Sequence, residues 1–379
     1  MERHRSHPRT GAGAVRRCRH GRDRAGRVCG RGRQRGPSSG RPGAGAGKEF
    51  PVSFQSLPKV ELHLHLEGAA PPAFIRGLAQ EKSVDLSGVF NEDGTYAFRD
   101  FVHFLSVYEA ATQVLTGPEA FARLAHAVLE ESAAQGVIYT EAFLSPDFCG
   151  GGDVAAWREY LHAIREVAEA AERDSGIVMR GIVTCIRHFG PDQAKRVALC
   201  AAETAGDWVT GFGIAGDEMK GKPGDFAYSF DMAREAGLRL TAHAGEWGGP
   251  ASVRDAIRDL RVERIGHGVR AIEDPALVED LVERGIVLEV CPGSNVALGV
   301  YPRFDKHPIA RLRDAGVKVT VSTDDPPFFH TTMTREYEEL ARAFGWEDED
   351  FRALNLTALD AAFCDADTRD RLKPKLDPT

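Results

Sequence analysis

The sequence contains no run of about 18 apolar residues, so it holds no candidate for a membrane-spanning helix. It has no apolar segment near its start of the kind a secretory signal requires. Cysteine is sparse: Cys18, Cys29, Cys149, Cys185, Cys200, Cys291 and Cys364 are odd in number, irregularly spaced and never arranged as C-x-x-C. That pattern excludes a zinc finger and a disulfide scaffold, and points to reduced thiols in a cytoplasmic protein. No G-x-G-x-x-G follows the first strand-like segment, so the dinucleotide-fold signature is missing.

Acidic residues are scarce in one region only. Residues 1–48 carry 14 Lys/Arg against 2 Asp/Glu, a net +12, which leaves −20 for residues 49–379 out of the total of −8. Nucleic acid is therefore not an expected partner for the acidic body, nor is a membrane. The first 48 residues are rich in Arg and Gly and poor in large apolar side chains, so they are expected to form a disordered leader. A nucleic-acid arm and a transit peptide are competing readings. The glycines oppose the amphipathic helix that the second requires. An incidental leader is favoured, because the ordered pattern starts abruptly near Phe50. Residues 49–379 are long enough for one full-sized domain.

The stretch Val60-Glu61-Leu62-His63-Leu64-His65-Leu66-Glu67-Gly68 alternates apolar and polar residues with period two. This predicts a strand, with His63 and His65 on one face roughly 6–7 Å apart. A shared metal ion is one reason for such a pair; two satisfied histidines on a half-buried strand is the other. Helical periodicity follows over 71–82 and 98–132. The apolar residues from Phe98 to Tyr108 suit core packing or a lid over a ligand. Strand-like runs then recur at Val137–Leu144, Ile177–Ile186, Val209–Gly216, Leu238–Gly245, Arg264–Gly268, Val287–Ser294 and Val317–Asp325, separated by helical stretches such as Val154–Arg173 and Pro275–Arg284. With the opening strand the count is eight, which predicts a (β/α)8 TIM barrel; a doubly wound open sheet is the alternative.

Polar residues collect where these strands end. They include His63, His65 and Glu67; Gly216-Asp217-Glu218; His243 and Glu246; His267; and Asp324-Asp325. In a barrel such ends converge on one mouth. Three histidines and a carboxylate suit Zn2+, so His63, His65, His243 and Asp324 are the candidate ligands. Metal binding would bring the pKa of a water molecule towards neutrality. His267, between two glycines, is the candidate to orient that water and move its proton; a further metal ligand is the competing reading. Glu246 is the candidate acid for a substrate ring nitrogen, against the reading of a surface glutamate. Asp325 is expected to face the substrate, and Gly216 to offer it a backbone N–H.

Taken together, Leu57-Pro58-Lys59-Val60-Glu61-Leu62-His63-Leu64-His65, Ala215-Gly216-Asp217-Glu218, His243-Ala244-Gly245-Glu246, Ile265-Gly266-His267-Gly268, Cys291-Pro292-x-Ser294-Asn295 and Ser322-Thr323-Asp324-Asp325-Pro326 resemble the adenosine/adenine deaminase branch of the amidohydrolases. The resemblance spans about residues 57–341. It implies one Zn2+ per subunit, held by His63, His65, His243 and Asp324. It also implies Glu246 as donor to purine N1, His267 as the residue that deprotonates water, Asp325 at N7 and Gly216 near N3. The run Val209–Gly216 carries no Lys or Glu of the kind that bridges two metals in other amidohydrolases, which favours a single ion.

Two positions pull the substrate in opposite directions. Glu67 stands where adenosine deaminases carry Asp against the ribose, and where the adenine deaminases carry Glu. The run Thr331-Thr332-Met333-Thr334 looks more like adenosine deaminases. The expected reaction is deamination of adenosine and 2′-deoxyadenosine to inosine (or its deoxy form) and ammonia. Adenine to hypoxanthine, or a modified 6-aminopurine nucleoside such as aminofutalosine, is the alternative. A metal-free purine-binding homologue represents another class, opposed by the presence of every candidate ligand.

Overall fold

The structure is a computed structural model, and residues 54–377 are described; the leader expected over 1–48 lies outside them. Eight parallel strands pair in chain order: β1 (Lys59–His65), β2 (Val137–Leu144), β3 (Val178–Ile186), β4 (Val209–Ala215), β5 (Arg239–Ala244), β6 (Arg264–His267), β7 (Val287–Val290) and β8 (Lys318–Val321). The ring closes at its upper end. His65 N donates to Asp324 O (3.0 Å) and Asp324 N to His63 O (3.1 Å), so the chain just past β8 pairs with β1. The fold is the expected TIM-type barrel. No helix among the described residues is long and apolar enough to cross a membrane.

Three segments differ from the sequence reading. The region 98–132 is two helices, Phe101–Thr112 and Pro118–Ala134, parted at Gly117, whose φ of +87° no helix interior tolerates. Asp100 starts the first of them by accepting from His103 N at 2.9 Å. The run Val287–Ser294 is a strand only to Val290, because Pro292 opens a short helix, Pro292–Ala297. Val317–Asp325 shrinks to Lys318–Val321, and its last residues turn across the mouth.

The alternation in β1 has an inverted meaning. Both faces are buried, as in parallel strands covered by helices. Val60 and Leu62 face outward, in a cluster with Ala358 and Leu359 of the helix Asp348–Ala361. The polar residues face the barrel interior, which is consequently ionic. Buried Arg264 lies 2.6 Å from Glu141 and 2.6 Å from Glu289, with Phe363 packed 3.5 Å below its guanidinium.

Candidate active site and metal centre

The four candidate ligands meet at the upper end of the barrel. One donor atom from each of His63, His65, His243 and Asp324 lies within 4.8 Å of all the others. His65 Nε2 is 3.2 Å from His243 Nε2, and Asp324 Oδ1 is 3.4 Å from His63 Nε2 and 3.2 Å from His65 Nε2. Two ring nitrogens facing each other can share at most one proton. His63 Nε2 is buried with no hydrogen-bond partner among the described residues. Lone pairs converging in this way fit a cation, and the N3O donor set fits zinc. Burial pushes the Asp324 carboxyl up, but the close approach of the His63 and His65 rings prevails and holds it well below the ordinary range. It is thus anionic, as a ligand needs to be.

Glu246 and His267 flank this cluster. Asn295 Nδ2 donates to Glu246 Oε1 at 2.9 Å and lies 3.3 Å from His267 Nδ1. Asn295 is held in turn by His307, whose Nε2 is 3.1 Å from Asn295 Oδ1. Burial, then the charges of Asp324 and Glu218, push Glu246 well above the usual carboxylate range, which favours its protonated form. His267 moves the other way: burial lowers it to about 4, leaving a neutral imidazole able to accept a proton. The two groups have the opposed protonation states that a donor and an acceptor require. His267 and Asp324 both sit at positive φ, 62° and 68°.

The cleft above is lined by His65, Gly216, His243, Glu246, His267, Asp324 and Asp325, and by Phe101, Phe104, Leu105 and Tyr108 from the helix Phe101–Thr112. That helix therefore belongs to the core and also walls the cleft. Gly216 has φ +91°, and a Cβ there would fall 2.7 Å from His188 Nδ1. A Cβ on Gly68 would fall 1.5 Å from Asp325 Oδ1, so the carboxylate rests on bare backbone. Glu67 is buried but does not line the cleft; Tyr108, its hydrogen-bond partner, does. Burial raises Glu67 to about 7.

Several residues with a part in the site received no role from sequence. Ser294 Oγ donates to Asp324 Oδ2 at 2.7 Å. Glu218 accepts from the backbone N–H groups of Glu246 (3.1 Å) and Gly248 (2.9 Å), and so shapes the turn that presents Glu246. Glu289 accepts from His63 Nδ1 at 2.9 Å. The first two stood in recognisable motifs, while Glu289 gave only the signal of one acid in an apolar strand.

Residues 58–379 match the adenosine deaminase family. The chain belongs to that family. It is accordingly a hydrolase acting on carbon–nitrogen bonds. Adenine deaminase of Rhizobium rhizogenes is 48% identical over 321 residues, covering 84% of this chain and 99% of the relative. Adenine deaminase of Chelativorans sp. is 46% identical, covering 85% and 98%. Among solved structures, adenine deaminase from Arthrobacter aurescens superimposes with a TM-score of 0.78 at 30% identity, covering 84% of this chain and 98% of that one. An amidohydrolase from Burkholderia ambifaria, with bound Zn, gives 0.78 at 31%, covering 89% and 95%.

Proposed function

We propose that the protein deaminates adenine to hypoxanthine and ammonia, with one Zn2+ held by His63, His65, His243 and Asp324. The observation that carries the substrate is the near full-length similarity to adenine deaminases at 46–48% identity. Glu67 agrees with it. This reading replaces adenosine as the favoured substrate. The threonine run that had pointed to adenosine has a structural task instead. Thr332 caps the helix Met333–Phe344 by accepting from Arg335 N (3.1 Å), and Thr331 donates to Glu336 at 2.6 Å. The zinc-containing neighbour and the donor set support the metal.

When bound, the metal supplies Lewis acidity that makes a water molecule reactive near neutral pH. The residues then divide the proton work. Glu246 gives its proton to purine N1, which makes C6 electrophilic. His267 takes a proton from the attacking water, whose oxygen bonds to C6. The C6–N bond breaks as the amino group receives that proton and leaves as ammonia, and the second water proton returns to Glu246. Asp325 and Gly216 orient the ring at N7 and N3.

Loss of the 6-amino chromophore on adenine, adenosine and 2′-deoxyadenosine tests the substrate. Adenine should be preferred by about 10²-fold or more in kcat/KM; preference for adenosine would overturn the proposal. Glu67→Asp shortens one side chain by a methylene beside Tyr108. The ratio of adenosine to adenine turnover should rise about 10-fold with metal content unchanged. Equal loss on all substrates would assign Glu67 to support of the metal site.

A further inference from the structure

We infer that Glu289 is a positioning residue of the metal centre, fixing the tautomer of His63 from the side of the ring that faces away from the other ligands. The inference rests on the metal reading above. Glu289 Oε2 lies 2.9 Å from His63 Nδ1, and both side chains are fully buried. A carboxylate can only accept there, so Nδ1 carries the hydrogen. A neutral imidazole has one such hydrogen, and the Nε2 lone pair is left for the cluster of His65, His243 and Asp324. That nitrogen is the one without a hydrogen-bond partner.

Glu289 is itself held from three sides. Thr241 Oγ1 donates to its Oε1 at 2.9 Å. Arg264 Nε lies 2.6 Å from the same oxygen, as an ion pair not aligned for a hydrogen bond. Arg264 then donates from Nη2 to Glu141 (2.6 Å) and from Nη1 to the Ala361 carbonyl (3.0 Å). Glu141 accepts from Tyr139 (2.7 Å) and from the backbone N–H of Phe363. An ionic chain thus runs inside the barrel from residues 361–363 to the imidazole of His63. Its two acids and one base leave an excess negative charge, one imidazole removed from the cation site. Such a carboxylate raises the donor strength of a ligating histidine and restricts its rotation.

Glu289→Gln keeps shape and leaves Arg264 paired with Glu141, so the buried charge is still neutralised. Metal-stripped protein is titrated with Zn2+ against a chelator, and the Co2+ form is examined by visible absorption. Zn2+ affinity should fall about 10–100-fold and the Co2+ bands should shift, while the metal-stripped variant melts near the wild-type temperature. A purely structural role would lower the melting temperature and leave affinity and bands in place. Affinity within about two-fold of wild type on folded variant would overturn the inference. Should Glu289→Gln not fold, Thr241→Val removes one hydroxyl donor to the same carboxylate at nearly constant shape. Weaker Zn2+ binding then supports the inference, and unchanged binding overturns it. Wild-type protein that takes up no Zn2+ would instead sink the metal reading itself.

Discussion

Replacing His243 with alanine should abolish bound metal and lower adenine turnover by more than about 10⁴-fold, because without the ion a water molecule loses the acidity that makes it reactive near neutral pH. The position is central. The His243 ring lies with its centroid 4.5 Å from that of His63, 5.2 Å from that of His65 and 5.2 Å from that of His267. The strand end does not depend on that ring, since Arg187 donates to the His243 carbonyl at 2.8 Å and anchors the backbone. The variant should therefore fold and should lose only the stabilisation that bound metal provides. Metal analysis, the ultraviolet assay and a melting curve with and without Zn2+ read the three effects separately. A metal-free His243→Ala protein with full activity would refute the assignment of the site.

Glu246→Gln should lower kcat by about 10²–10⁴-fold with the metal still bound. Glutamine still accepts from Asn295 and still presents a hydrogen-bond donor on its other arm, but it has no proton to transfer. The pH profile carries a second signature. Burial and the charges of Asp324 and Glu218 raise the Glu246 pKa, so the protonated form to which the proposed reaction assigns activity persists to higher pH than an ordinary carboxylic acid would. Activity should fall as pH rises through that raised value. The residual activity of Glu246→Gln should lack this alkaline limb, because the group that ionises has gone. An unchanged alkaline limb in the variant would assign it to another group, such as the attacking water. Loss of metal in Glu246→Gln would contradict its separation from the ligand set.

Most of the barrel was legible because parallel strands announce themselves as short runs at regular spacing. Six of the eight strands fall close to the expected ranges, and those expected over Val287–Ser294 and Val317–Asp325 are shorter. The failure at Val287–Ser294 came from Pro292, which fits a strand edge and a helix start equally well until the chain direction is known. The cluster of four candidate ligands was legible because His-x-His needs a strand to place both rings on one face, and His243 and Asp324 stand at other strand ends. The supporting residues were hidden for a different reason. Glu289 and Arg264 sit in runs that look like ordinary buried strands, and only the closed barrel shows that they face each other. Asn295 touches Glu246 and His267 across nearly 50 and 30 residues of sequence, a separation no local pattern records. The choice between adenosine and adenine was the least legible, since Glu67 and the threonine run pointed in opposite directions and Thr332 serves as a helix cap.

His267 and Asp324 occupy the left-handed backbone region, which costs a non-glycine residue roughly 1–2 kcal/mol. Glycine would adopt the same angles without that cost, but would lose the buried side chains to which the proposed reaction assigns the ligand and proton-acceptor roles. On the proposed roles, backbone strain is tolerated where the chemistry is placed, and stabilising changes are better sought in the outer helices, far from the mouth of the barrel.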